Sequence, residues 1–285
     1  MATTRDCILA LVVTTVLLTA QQGAAAEPTG WRADYTDATP PTQWSANTNI
    51  RWKTPLPSVS RSHPIILDNR LYLCAEPDRL ICIDLDDGKV LWTKRDSLNT
   101  VLGADEMNRY MDVVLELRGK VQERRSLRQQ RDKLKKSMWF ARHKEEKLAV
   151  MRPKLDKIMA KIAELDEALV PYDTIRPETS KDVGFSSPTP VTDGDRVYAA
   201  FGSGVVVAYT PSGKRVWGKM AGPVRTPGGH RASPVLAGGH LIVTMAAVVA
   251  LDPATGEEVW RVKEPPHRGT PAVLPMAGGE QIVLP

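Results

Sequence analysis

Short apolar runs punctuated by turn residues fill two stretches of this chain, and a long charged stretch with helical spacing lies between them. The runs Leu71 to Ala75, Val205 to Tyr209 and Val248 to Leu251 are continuous rather than alternating. A strand with one face in water alternates apolar and polar side chains, so continuous runs of this length predict strands covered on both faces. Ahead of the runs comes a Ser, Thr or His before Pro, then an apolar pair and a turn. The four copies start at Ser62-His63-Pro64, Ser187-Pro188-Thr189-Pro190, Ser233-Pro234 and Thr270-Pro271, with turns at Asp68-Asn69, Asp193-Gly194-Asp195, Gly238-Gly239 and Gly278-Gly279.

Three copies continue into a second recurring element. Its fullest form runs from Ala250 through Asp252, Thr255 and Gly256 to Trp260; an earlier form runs from Cys82 through Asp84 and Gly88 to Trp92, and a shorter one from Ala208 through Thr210 and Gly213 to Trp217. Mechanically this is strand, tight turn, strand. Asp252 accepts hydrogen bonds from the backbone that follows it, Pro253 presets the turn, Gly256 supplies positive φ, and Trp260 is a packing knob on the outer strand. Each whole unit therefore predicts four short strands. Trp52 to Trp92 is 40 positions and Trp217 to Trp260 is 43, the length of one four-stranded propeller blade. Trp92 to Trp217 is 125 positions, so an insertion of about 80 residues is expected to interrupt the second unit.

The Ala-x-Asp-x-x-Thr-Gly-x-x-x-Trp tail resembles the tryptophan-docking signature of the pyrroloquinoline-quinone-like (PQQ-like) β-propeller repeat family. The resemblance covers roughly residues 44 to 98 and 180 to 285, and Trp52-Lys53-Thr54-Pro55-Leu56-Pro57 looks like that family's first strand. It implies an all-β fold: a partial β-propeller of four-stranded antiparallel blades, interrupted here by an α-helical, coiled-coil hairpin. The structural repeat residues are then Asp84, Gly88, Trp92, Gly213, Trp217, Asp252, Thr255, Gly256 and Trp260. The family includes BamB-like secreted propellers without catalytic activity and PQQ-dependent quinoprotein oxidoreductases. The calcium-binding cluster, the catalytic aspartate and the adjacent cysteine pair of the second group match nothing in this chain. The expectation is therefore a scaffold without catalytic, cofactor-binding or metal residues, contacting other envelope proteins through propeller loops and the helical hairpin. The alternative is a fragment of a quinoprotein, with PQQ and calcium as cofactors.

Between Gly103 and Val170 turn residues give way to Lys, Arg, Glu and Leu. Leu148, Met151, Leu155, Ile158, Ile162, Leu165 and Leu169 alternate at steps of three and four, a heptad seam. A looser series from Met107 to Met138 predicts a partner helix over Ala104 to Met138, with the turn near Trp139 to Lys144. The second helix either starts at Arg152 or kinks at Pro153. From Arg118 to Lys136 nine Lys or Arg face only Glu123 and Asp132, a net +7 that exceeds the +5 of the whole chain. That stretch is either a solvated coiled-coil exterior or a surface for anionic partners: lipid headgroups, cell-wall polymers or an acidic protein. Trp139 and Phe140 either cap the hairpin or mark a contact tip.

Residues 1–26 read as a cleaved secretory signal peptide: Arg5, an apolar stretch from Ile8 to Ala20, and Ala24-Ala25-Ala26. About 13 apolar residues fall short of a bilayer span. Cys7 precedes that stretch, so no lipoprotein cysteine follows it. Export to the periplasm or beyond is expected, which disfavours nucleic acid as a partner. The remaining organisation reads as 27–102 for the first part of the propeller, 103–170 for the hairpin and 171–285 for further blades. Length leaves room for about four blades, so the propeller is expected to be incomplete. Cys74 and Cys82 flank a predicted hairpin turn; with a three-residue loop they could face each other and form a disulfide, or they are small apolar fillers. His63, His143, His230, His240 and His267 show no spacing suited to a metal or a triad; His230 and His267 could lie near one propeller face.

Overall fold

The computed structural model describes residues 42–175, 182–222, 229–245, 247–263, 269–276 and 279–285. Three antiparallel sheets follow one another, each four strands long and each in plain meander order. The first holds β1 (Ile65–Leu67), β2 (Arg70–Ala75), β3 (Arg79–Asp84) and β4 (Val90–Arg95). Helices come next: α1 (Leu98–Val101), α2 (Ala104–Phe140), α3 (Glu145–Ala168) and α4 (Val170–Ile175). The second sheet is β5 (Val191–Thr192), β6 (Val197–Ala200), β7 (Val205–Tyr209) and β8 (Arg215–Met220). The third is β9 (Val235–Ala237), β10 (His240–Thr244), β11 (Val248–Leu251) and β12 (Glu258–Val262), and β13 (Ala272–Met276) pairs with β14 (Gly279–Val283). This is the expected partial propeller with a helical insertion. The helices lie in the connection from β4 to β5 and leave the second sheet whole, because a four-stranded meander cannot lose a central strand without exposing its ladder.

Alternation along the inner strands assigns each face of a sheet to a different neighbour. Tyr72 and Cys74 of β2 and Leu80 and Cys82 of β3 meet Val197, Ala199, Val205, Val207 and Tyr209 of the second sheet. That sheet's other face, Tyr198, Ala200, Val206 and Ala208, meets Leu241, Val243, Val249 and Leu251. The far face of the first sheet, through Leu73, Ala75, Ile81 and Ile83, is covered by Trp52 and Leu56. The stretch from Trp52 to Pro57 therefore packs as irregular chain instead of forming the strand that its sequence suggests.

Three tryptophans tie successive units together. Trp52 donates its indole N–H to the Leu85 carbonyl at 2.9 Å, Trp92 to Pro211 at 3.2 Å and Trp217 to Pro253 at 2.9 Å. Each ring lies across a turn glycine. A Cβ on Gly88, Gly213 or Gly256 would sit 2.6, 3.0 or 2.6 Å from the ring of Trp52, Trp92 or Trp217, and all three glycines have positive φ (73°, 85° and 71°). The turn is held as expected from the residue types: Asp252 Oδ1 accepts from the backbone N–H of Ala254 and Thr255, both at 2.8 Å, and from the Thr255 hydroxyl. Asp84 Oδ1 accepts from Asp86 N–H at 2.8 Å in the same way. Trp260, Val273, Ile282 and Leu284 all pack against the cluster of Ala237, Ile242, Val248 and Ala250.

One bulge recurs in every outer strand. The register slips between Cys82 and Ile83, between Ala208 and Tyr209 and between Ala250 and Leu251. The extra residue is the one before each tryptophan: Leu91, Val216 or Val259, which are 45%, 40% and 50% exposed. A bulge re-aims the following side chain, so these exposed apolar residues follow from turning the indole toward the next sheet.

Gly256→Ala should cost about 2 kcal/mol or more, combining strain at positive φ with collision against Trp217, whereas Gly239→Ala (φ 75°, with nothing within 4 Å of its Cβ) carries only the backbone share of about 1 kcal/mol. Trp217→Ala should cost about 3 kcal/mol. Denaturant midpoints of the three variants test this, and equal losses for the two glycine changes would contradict the clasp.

Candidate functional site

The residues before the blade prolines form a hydrogen-bonded series from sheet to sheet. His63 N–H donates to the Thr189 hydroxyl at 3.2 Å, Thr189 N–H to the Ser233 hydroxyl at 2.9 Å and Ser233 N–H to the Thr270 hydroxyl at 3.0 Å. Position by position, the hydroxyl that follows in sequence accepts from the backbone of the unit before it. This is why Ser or Thr recurs ahead of Pro, whose own missing N–H leaves the preceding residue as the donor.

Two carboxylates join the first two sheets. Glu76, in the β2–β3 turn, accepts from Phe185 N–H at 3.0 Å, Ser186 N–H at 2.9 Å and the Ser186 hydroxyl at 2.6 Å. Gly184, at φ 63°, bends the chain over it, and any side chain there would collide with the carboxylate. Asp96 is fully buried after β4; its Oδ1 accepts from the Tyr209 hydroxyl at 2.7 Å and lies 3.5 Å from Arg215. Burial raises its pKa above the ordinary carboxylate range, with Tyr209 and Arg215 opposing the shift. Sequence reasoning missed both groups, whose partners lie more than a hundred residues away along the chain.

Cys74 and Cys82 are both buried and both free. The hairpin closes on Ala75 and Arg79, which puts Cys74 opposite Leu80 and Cys82 opposite Tyr72. The facing register that a disulfide needs is therefore not the one formed. Cys82 instead occupies the place of Ala208 and Ala250, opposite the outer tryptophan, where a small side chain is wanted. Burial pushes the Cys82 thiol up to about 11 and raises Cys74 as well, which keeps both protonated and poorly nucleophilic at neutral pH.

The histidines are dispersed. His63 is exposed at the first sheet, His143 is exposed in the helical turn, and His267 lies outside the described residues. His230 is 1% exposed, and burial pushes its imidazole down to about 4, with the Ala232 backbone opposing the shift. Among the described residues no three His, Cys, Asp or Glu side chains gather as a metal site.

At the tip of the hairpin α2 continues past Met138 to Phe140, while α3 begins at Glu145, directly after the expected turn. The second helix thus does not start at Arg152 but runs through Pro153, whose exposed position leaves its missing hydrogen bond on the solvent side. Leu117, Leu165 and Leu169 form the buried seam, flanked by Val113, Val121, Leu127 and Tyr172. Of the nine basic residues between Arg118 and Lys136, Arg124 is only 2% exposed. It makes a two-pronged pair with Asp173 at 2.5 and 2.7 Å and reaches Asp166 at 3.3 Å, while Arg128 holds the same Asp166 at 2.9 Å. Part of the charge run is therefore internal stitching between α2, α3 and α4. Trp139 and Phe140 stand 60% and 66% exposed and so do not cap the hairpin core.

Meander blades clasped by tryptophan and glycine define a PQQ-like propeller repeat protein. The chain belongs to the family described as outer membrane protein assembly factor BamB, which it matches over residues 21–128 and 159–285. No curated protein matches it. Among solved structures it is similar to BamB from Moraxella catarrhalis (12% identity, TM-score 0.41), covering 79% of this chain and 47% of that one. It is also similar to the quinohemoprotein alcohol dehydrogenase ADHIIG from Pseudomonas putida HK5 (12% identity, TM-score 0.40, 76% of this chain and 22% of that one). The quinohemoprotein alcohol dehydrogenase from Comamonas testosteroni gives 14% identity and TM-score 0.36, with 72% and 21% covered. The chain thus spans about half the length of the Moraxella protein or less of the others.

Two variants test these interior groups. Above about pH 6.5 His230 is neutral whether the chain is folded or unfolded; as pH falls toward about 4 only the unfolded chain takes up the proton, so stability is lost across that window, by up to about 3 kcal/mol. His230→Leu should flatten that loss when denaturant midpoints are compared at about pH 7.5 and about pH 5; an unchanged slope would count against it. Arg124→Ala should destabilise the helices by about 2 kcal/mol or more, read as an earlier melt of the helical signal in circular dichroism.

Proposed function

We propose that this chain is an exported, non-catalytic propeller that serves as a protein-interaction scaffold in the bacterial cell envelope, in outer-membrane assembly or a related role. The observation that carries this reading is its membership, over most of its length, of the family described as an outer membrane assembly factor. Two features support it. The conspicuous polar groups between sheets, Glu76, Asp96 and the hydroxyl series, are engaged in joining blades and are not gathered in a cleft with a nucleophile or base. The protein-contact elements are the turns that carry Asp86, Ser212 and Ala254, together with the charged flank of the helical hairpin, where Glu116, Arg118 and Lys120 are exposed.

Export through the stretch that ends at Ala26 is part of the proposal; it lies outside the described residues. Among those residues no helix is long and apolar enough to cross a membrane.

Photo-crosslinkers placed at Asp86, Ser212 and Ala254 in an envelope-bearing bacterial host should yield adducts with components of the outer-membrane assembly machinery. A chain that forms no such adducts, but binds pyrroloquinoline quinone stoichiometrically in an absorbance titration with calcium present, would instead be a quinoprotein fragment.

A further inference from the structure

The end of the hairpin carries two large aromatics, Trp139 and Phe140, that stand exposed. The repeat-tail tryptophans Trp92 and Trp217 dock on the following unit, while Trp139 and Phe140 project from the last turn of α2, with ring centroids 5.1 Å apart and edge to face. The Arg142 guanidinium lies over the Trp139 ring at 4.4 Å. Lys135 and Lys136, one helical turn back on the same face as the two rings, are exposed, as are Lys133 and Lys144. From Lys133 to Lys147 six basic residues stand against Glu145 and Glu146, and Glu145 is itself held by Arg152 at 2.7 Å. The segment carries a net +4, close to the +5 of the entire chain. A helix of 37 residues sets this tip about 55 Å from its first turn. Residues 129–158, which include the tip, fall outside the family match.

We infer that the hairpin tip docks into the headgroup layer of an anionic phospholipid bilayer. Its chemistry favours lipid over protein. A specific protein interface buries roughly 800 Å² on each partner and is depleted of lysine, whereas this tip offers two rings encircled by lysine. Tryptophan settles at headgroup depth, where its ring is apolar and its N–H is solvated. Clustered lysine and arginine are drawn to the negative surface of such a membrane within about one Debye length. The rings supply a shallow wedge and the cations supply the attraction to anionic headgroups. The inference stands whichever proteins the blades hold.

The test is co-sedimentation of the full chain, at low salt, with vesicles of phosphatidylcholine alone and of phosphatidylcholine mixed equally with phosphatidylglycerol. Binding to the mixed vesicles should exceed binding to the neutral ones by about tenfold or more. The pair Trp139→Ala with Phe140→Ala should remove most of it, as should Lys135→Glu with Lys136→Glu. The same charge reversal near the middle of α2, Arg118→Glu with Lys120→Glu, should leave it within about twofold. All of these side chains are exposed, and an unchanged circular dichroism melt verifies that the variants fold. Equal pelleting of the aromatic variant, an equal loss from the reversal at Arg118 and Lys120, binding to neutral vesicles alike, or capture of an acidic protein without vesicle binding would each overturn the inference. The crosslinks expected at Asp86, Ser212 and Ala254 are unaffected by any of these outcomes.

Discussion

A flat indole needs a flat seat, and in this fold only glycine provides one. The ring of each clasping tryptophan lies where any Cβ of the opposing turn would stand, so the identity of one residue fixes how closely adjacent sheets approach. The indole N–H then fixes their lateral register, because it must reach the carbonyl of the residue after the turn's Asp or Thr. Around that contact the other features fall into place. The bulge before Trp92 and Trp217 turns the ring outward from its own sheet, the small residue opposite it, Cys82 or Ala208, makes room for it, and Tyr72 and Tyr198 line its inner side at 5.8 and 6.1 Å. Hydrophobic burial between sheets is large but unspecific; the clasp supplies the geometry.

Much of this was legible in the sequence. The Asp-to-Gly-to-Trp spacing is local chemistry repeated three times, and continuous apolar runs could only mean sheets covered twice. The heptad series in the insertion likewise gave the second helix, and a looser apolar series the first. What escaped was of two kinds. Bulges are a matter of register, and Leu91, Val216 and Val259 read as ordinary strand residues until their partners are known. Glu76, Asp96 and Arg124 are polar residues whose partners are distant in sequence, so no spacing announces them. The free cysteines belong with the first kind: a turn centred on Pro77 rather than one residue later in the chain offsets Cys74 from Cys82.

The insertion and the propeller are built on opposite principles. Blades are held by neighbours, and no sheet buries both of its faces alone. The hairpin is held by itself, through a leucine seam and an arginine drawn into the interior by two aspartates. It can therefore sit between two sheets without altering how they meet, provided that α1 still fills the space where Leu98 and Val101 pack beside the first two sheets.

The clasps also have a direction. Each tryptophan reaches forward to a turn that emerges later from the ribosome, across 33 residues for Trp52 and 36 for Trp217, but 119 for Trp92. During synthesis the first blade therefore waits with its indole unoccupied while the whole hairpin is made. Closing the longer loop costs only about 1 kcal/mol more in chain entropy, and helices that collapse early on their own shorten the span that must be searched. The delay is thus one of time more than of energy: the outer edge of the first blade remains open to chaperones, or to a premature partner, for roughly three times as long as Trp52 or Trp217 waits for its own turn.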